Sequence, residues 1–390
     1  GILLMNIVSM GMPGYAYVDP TYYGNAGPAD LVAWAFNYIF SDGKMRALFT
    51  MLFGASTVLI AERAAANGEP PLETHYRRMW WLFVFGMLHA WLIWYGDILV
   101  QYALAGALGF FLWRLAPGRV WAFALAMFAL QILLYASDHV HPSGRKAPAQ
   151  APGASAAAVT AWSAQLPTAN YVAKEIELYG AGLAEAFEAR MPMTLYFQMI
   201  LLPKSVPETL GFMALGILLY RNGFLTGAWA RGRYWRTAAL GYLLAAPLYA
   251  PLVWLLLGQD FDPALIPLTD AGSFLLRPFV ALAHAAMIIL LLQSGFARWL
   301  SERLEAAGRM AFSNYLGTSL VTTSFFYGYG FGRFGTLSRA ELYLVVIAVW
   351  ALILIWSKPW LDRYRYGPLE WLWRTLARGE LQPMRRALPA

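Results

Sequence analysis

Trp80-Trp81-Leu82-Phe83-Val84-Phe85-Gly86-Met87-Leu88-His89-Ala90-Trp91-Leu92-Ile93-Trp94-Tyr95 is an apolar, aromatic run with one ionisable side chain, His89. As a helix it would be about 24 Å long, against roughly 30 Å for the hydrocarbon core of a bilayer. Arg77-Arg78 precede it and Gly96-Asp97 follow it, after which Ile98 to Trp113 forms a second apolar run that ends on Arg114. Two such runs, with cations at their far ends and a Tyr95-Gly96 turn between them, read as a helical hairpin through a membrane.

The rest of the chain extends this pattern. Of 390 residues, 59% are hydrophobic and only 13% charged, whereas soluble domains carry about a quarter charged residues. A soluble globule of this size cannot cover itself with so few charges, and the same figures exclude disorder. The absence of cysteine excludes thiol catalysis and a disulfide framework. The 17 Trp, 22 Tyr and 23 Phe suit membrane interfaces. The fold class is therefore an all-α, polytopic transmembrane helical bundle, residues 1–390 forming a single integral membrane domain with the lipid bilayer as its partner. A formal charge of +7 without interleaved basic and aromatic strands argues against nucleic acid.

Roughly ten crossings are expected at about 20 residues each. They are Gly1 to Met12 (expected to continue a helix begun earlier, with no signal peptide), Met45 to Ala61, Trp80 to Tyr95, Ile98 to Trp113, Val120 to Ala136, Val206 to Tyr220, Thr237 to Leu257, Gly272 to Leu292, Met310 to Phe326 and Leu342 to Trp356. The connections Arg63 to Arg78, Arg114 to Arg119, Arg221 to Arg236, Arg298 to Arg309 and the tail from Lys358 are basic, and the alternate ones are not, Arg333 and Arg339 being the exceptions. The positive-inside rule then places both termini in the cytoplasm of a multi-pass protein. Residues 137–204 read as an external insertion in which Asn170 to Arg190 is an amphipathic helix. Asp30 to Phe40 reads as a short helix at the outer surface. Residues 358–390 read as an amphipathic tail whose Tyr364 to Arg386 portion lies on the inner leaflet.

Ionisable groups inside a crossing are costly and mark functional sites by default. His89, Asp97, Asn6, Lys44 and Arg46 are placed to converge in the outer half of the bundle, His89 meeting Asp97 only if the chain reverses at Gly96. Each also has a structural reading: a histidine bonded to a carbonyl, an aspartate capping a helix, snorkelling cations, an asparagine gripping another helix. An inner group of Arg309, Asn314 and His284, with Arg233 and Arg236, makes a phosphate-binding rim, or the arginines only set topology. The run Tyr327 to Gly332 is expected as an external turn. Asp138, His139 and His141 are expected as a solvated turn rather than a metal site, and no metal is expected.

Several strings resemble one family: Gly1-Ile-Leu-Leu-Met-Asn6, Asp42-Gly-Lys-Met-Arg46 with Leu52-Phe-Gly54, Phe85-Gly-Met-Leu-His89 with Tyr95-Gly-Asp-Ile-Leu99, Gly308-Arg-Met-Ala-Phe-Ser-Asn-Tyr315, Phe326-Tyr-Gly-Tyr-Gly330 and Gly367-Pro-Leu-Glu-Trp-Leu-Trp-Arg374. These resemble the YeiB-like family, bacterial inner-membrane proteins with a domain of unknown function. The resemblance implies a place in a wider transmembrane acyltransferase superfamily, which includes heparan-α-glucosaminide N-acetyltransferase. It implies acyl-CoA or acetyl-CoA as donor, a small-molecule or glycan hydroxyl or amine on the periplasmic side as acceptor, and a membrane histidine as base. Asn6 resembles the first-helix asparagine of the acetyltransferase. Met12 to Asp30 holds no histidine, so the role falls to His89, with Asp97 orienting it, Lys44, Arg46 or Asn6 stabilising an oxyanion, and the inner group facing CoA. The other readings are a transporter or channel for a small anionic metabolite and a non-catalytic scaffold; whether the chain forms a homo-oligomer stays open.

Overall fold

The computed structural model describes residues 1–24, 27–140 and 169–386, except the side chains of 138–140 and 169. Residues 141–168 of the insertion, with His141, and the last four residues of the tail lie outside the described residues. Among the described residues the regular structure is helical, with one isolated antiparallel bridge, Tyr364 to Arg385.

Six helical stretches are long and apolar enough to cross a membrane: Pro28–Ala66, Pro117–Ser137, Leu183–Arg221, Arg231–Gly258, Pro263–Ser294 and Arg339–Arg363. The other four expected crossings are also helical, but shorter or more polar. They are α1 (Ile2–Gly11), α4 (Pro71–Leu92), α5 (Leu99–Gly109) and α14 (Ala311–Phe326). The chain is an all-α helical membrane protein.

Helix α2 (Pro28–Phe36) is exposed along one side, with Val32 69% and Phe36 52% accessible, and buried at Asp30 and Trp34. It runs through a wide turn at Asn37–Ser41 into the bundle, because its polar groups find partners there. Asp30 accepts the Ala340 N–H at 2.8 Å, and Asn37 donates to the Leu4 carbonyl at 3.1 Å. After a break at Asp42-Gly43 the chain continues as α3 (Lys44–Ala66). The expected external helix is two, α7 (Ala169–Gly180) and α8 (Leu183–Tyr196), parted where Gly328 packs so closely that a Cβ there would sit 1.9 Å from the Ala181 carbonyl. A wide turn, Phe197–Leu201, joins α8 to α9 (Leu202–Arg221). Widened turns of this kind recur where helices serve function.

Helix α9 is the central pillar: every residue from Pro207 to Leu219 is buried. A helix apolar on all sides belongs inside a bundle, and α9 is ringed by α3, α5 and α6 (Pro117–Val140). Close approach to α3 rests on two glycines that face each other's helices. A Cβ on Gly54 would lie 2.1 Å from the Met213 carbonyl, and one on Gly216 would lie 1.9 Å from the Met51 carbonyl. Small residues let membrane helices gain van der Waals contact where no hydrophobic effect separates lipid from protein.

At the basic end, Arg221 donates to the carbonyls of Trp113 and Leu115, bringing two basic connections together. The tail helix, α16 (Pro368–Arg378), is shorter than Tyr364 to Arg386 and docks on protein. Trp373 donates to the Arg78 carbonyl at 3.1 Å, and the Glu370 carboxylate accepts the N–H groups of Phe312 and Ser313 at the start of α14. Gly367 and Gly379, the latter at φ +73°, bound the helix.

Gly54→Ala and Gly216→Ala should each destabilise the fold by about 1–3 kcal/mol through overpacking, read as a lower Tm in detergent. Gly118→Ala, at a site where a Cβ meets nothing, should leave Tm unchanged.

Candidate functional site

The Tyr95-Gly96 turn does reverse the chain. The Trp94 indole folds over Gly96 so tightly that a Cβ there would lie 2.1 Å from the ring. Asp97 thereby comes back against α4, and its Oδ1 accepts from His89 Nδ1 at 2.7 Å. Its Oδ2 accepts the Val100 N–H at 2.7 Å, so the same carboxylate caps α5 and holds the imidazole. Both readings of Asp97 are realised together. His89 is fully buried against the Tyr315 ring, and its Nε2 has no hydrogen-bond partner among the described residues. Leaving such an atom unpaired costs about 1–3 kcal/mol.

A second charged group ties three helices. Arg46 on α3 donates to both Glu208 oxygens, at 3.0 and 3.1 Å, and Arg277 on α12 (Ile266–Ser294) pairs with the same carboxylate. The Glu208 side chain is 4% exposed, that of Arg277 7% and that of Arg46 31%. Gly43 makes room for this arrangement. It sits at φ +72°, and a Cβ on it would lie 2.3 Å from Arg277 Nε.

Both groups belong to the wall of a chamber of about 840 Å³. Asn6 and Ser9 of α1, Tyr17, Asp42 and Arg46, Asp97 and Gln101, Gln131 and Tyr135, Gln198, Lys204, Ser205 and Glu208, and Asp270, Ser273 and Arg277 line it. The wide turns at 37–41 and 197–201 both contribute side chains. No lining residue comes from the basic connections; Gly14, Tyr15 and Tyr171, from the connections at the other end, line it instead. There Glu175 of α7 accepts the Gly14 N–H at 3.1 Å, and burial pushes its carboxyl up to about 7.

Of the expected outer group, Asn6, Arg46 and Asp97 line the chamber. His89 stands behind Asp97 rather than in front of it. Lys44 is a correction. Two positions before Arg46, it points to the opposite side of α3, where it is fully buried, donates to the Tyr38 carbonyl and lies 3.9 Å from the centre of the Tyr249 ring.

The inner group does not assemble. His284 bonds the Tyr242 hydroxyl at 2.6 Å and the Phe40 carbonyl at 2.7 Å, because the descending 37–41 turn reaches its level. Asn314 is spent on structure: it donates to the Ala307 carbonyl and Ser357 and accepts from Trp356 Nε1 at 2.9 Å. Arg309, Arg233 and Arg236 are exposed. These five residues therefore form no shared cradle for a CoA.

Glu208, Arg277, Asp42, Asp270, Gln101 and Gln131 are chamber residues that the sequence reading passes over. The signal was present for two of them, since Glu208 and Arg277 are lone charges inside the crossings Val206 to Tyr220 and Gly272 to Leu292.

Gly43→Ala should displace the Arg277 guanidinium and strain a left-handed backbone position, together costing about 1–3 kcal/mol. The expected outcome is a lower Tm than wild type; an unchanged Tm would show that Arg277 does not depend on this seat.

Residues 219–380 match the family described as "Protein of unknown function (DUF418)". The chain is 30% identical over 389 residues to the uncharacterized protein YeiB of Escherichia coli (strain K12), spanning 96% of this chain and 92% of that one. It is 30% identical over 396 residues to the uncharacterized protein YxaH of Bacillus subtilis (strain 168), spanning 98% and 92%. An uncharacterized 39.9 kDa protein from the amylase 3' region of Bacillus acidopullulyticus is 24% identical, spanning 96% and 89%. No solved structure matches. Similarity at this level over nearly the full length of both chains shows that the chain belongs to the YeiB-like family.

Proposed function

We propose that the chamber is the acceptor site of a membrane-embedded acyl transfer. A small molecule or glycan end bearing a hydroxyl or amine enters from the side opposite the basic connections, and acyl-CoA or acetyl-CoA is the donor class. The reading rests on one observation, the buried His89–Asp97 dyad at the chamber, of which Asp97 is a lining residue. Asp97 is placed to accept the proton that an acceptor O–H or N–H loses when its oxygen or nitrogen bonds to an acyl carbon. Asp97 holds that proton, oriented by the 2.7 Å bond from His89 Nδ1, until the departing thiolate takes it. Arg46, held by Glu208, and Asn6 are the groups available to stabilise negative charge on the acyl oxygen. The donor has no cradle among Arg309, Asn314, His284, Arg233 and Arg236, so its approach must use other surfaces.

A second reading, a transporter or channel for a small metabolite, is favoured by a specific feature: the chamber is lined from one end of the bundle only, as an alternating-access site would be. Flux into proteoliposomes without any acyl donor would separate the two. Both readings place the protein in a bacterial inner membrane with its basic connections and both termini in the cytoplasm.

In vesicles supplied with labelled acetyl-CoA and an amine or hydroxyl acceptor, His89→Ala and Asp97→Asn should each lower transfer by about 10²–10⁴-fold. Full transfer by His89→Ala would remove the dyad from the mechanism. The cysteine-free chain also allows a direct topology test. A single cysteine at Gly27 should react with an impermeant maleimide on intact spheroplasts, whereas one at Gly118 should react only after lysis. The reverse pattern would invert the orientation.

A further inference from the structure

The chamber's charges do not balance in the way an anion site requires. Its wall holds four carboxylates, Asp42, Asp97, Glu208 and Asp270, and three cations, Arg46, Lys204 and Arg277. Both arginines are already committed to Glu208. Asp97 is bonded to His89 and to a backbone N–H. Among the described residues, Asp42 has one hydrogen-bond donor, the Tyr17 hydroxyl at 3.1 Å, and neither Asp42 nor Asp270 has a lysine or arginine at ion-pairing distance, although Lys44 and Arg46 act on Asp42, and Lys44, Arg46 and Arg277 on Asp270, from farther away. A carboxylate in a confined, low-dielectric space is costly without a countercharge.

An independent feature points to a hydrogen-bond donor in the chamber. Gln101 is 9% exposed and lines the cavity. Its Nε2 reaches Ser205 Oγ at 2.9 Å and Thr209 Oγ1 at 2.5 Å. Those two hydroxyls already donate to the carbonyls of Leu202 and Ser205, each at 2.9 Å. They must therefore accept from Gln101, which fixes the orientation of its amide. The Gln101 carbonyl oxygen is left as an acceptor without a protein donor among the described residues, on a side chain more than nine-tenths buried.

We infer that the chamber binds a primary amine in its ammonium form, with Asp42 and Asp270 as its countercharges and Gln101 Oε1 accepting a further N–H or O–H of the same molecule. This deepens the acyl-transfer reading on which it rests by choosing amine over hydroxyl as the acceptor, and it turns the transport reading from anionic to cationic cargo.

The test is binding to the full chain in lipid nanodiscs, with no acyl donor present. The probes are 1,4-diaminobutane, ethanolamine and tris(hydroxymethyl)aminomethane, each against its alcohol counterpart, 1,4-butanediol, ethylene glycol and pentaerythritol, with succinate as the anion. At matched ionic strength, the amines should raise Tm and bind at least tenfold more tightly than the alcohols and succinate. Asp270→Asn should cut amine binding at least tenfold, and Gln101→Glu, which adds a carboxylate, should not weaken it. Equal binding of amines and alcohols, tighter binding of succinate, or no binding of any amine would overturn the inference, and each of these is read on wild type even if a variant fails to fold. Amine binding without acyl transfer would sink the enzymatic reading while sparing this one; transfer to the alcohols alone would do the opposite.

Discussion

Glu208 is a carboxylate enclosed by two guanidinium groups in an otherwise apolar bundle, and the chamber depends on that enclosure. An isolated charge at this position would be expelled or neutralised, and breaking one half of such a buried pair costs about 3–5 kcal/mol. The three residues sit on α3, α9 and α12, so satisfying the charge fixes the relative height of three helices at one level. Close contact of α3 with α9 through Gly54 and Gly216 brings Arg46 within reach of Glu208, and the left-handed turn at Gly43 leaves space for Arg277 beside it. Backbone geometry and electrostatics make the same demand here. The glycines would be poor choices for helix propensity alone.

The dyad is a second fixed point, built by local means. Asp97 and His89 are eight residues apart, and the turn that joins them is closed by the Trp94 ring on Gly96. The Val100 N–H would need a cap in any case, so one carboxylate does two jobs at no extra desolvation. What remains unexplained by stability is the bare Nε2 of His89. It is one of eight buried side-chain polar atoms without a partner among the described residues, and the one that belongs to this dyad.

The membrane class, the helical runs and the polar groups at His89, Asp97, Asn6 and Arg46 were legible because lipid makes every polar residue in an apolar run conspicuous. Lys44 and Arg46 were read as a pair, although two positions on a helix turn about 200° apart; that error was avoidable from periodicity. The depth of His284 along its own helix carried no information on Phe40, which reaches it through a wide turn that nothing in the local sequence announces. Arg277 and Glu208 are 69 positions apart, so no spacing rule joins them, but a lone acid and a lone base in two crossings were a solvable pairing problem. Asn314 is a polar residue at a plausible depth that fastens the α14 start to α15 (Arg339–Arg363) and lines a smaller cavity apart from the chamber.

The order of groups in the dyad bears on what chemistry it supports. Were His89 in the wall with Asp97 behind, the imidazole would meet the ligand and the carboxylate would only orient it. Here Asp97 is the lining residue, with its side chain 2% exposed, and the imidazole is sealed behind it. A carboxylate at the wall attracts a positively charged or proton-donating partner, and the ring behind it holds it in orientation. The same sign of charge recurs at Asp42 and Asp270, while the arginines that would oppose it are occupied by Glu208. Three separate helical turns thus present acceptors to one enclosed volume, beside two guanidinium groups that share the single Glu208 carboxylate.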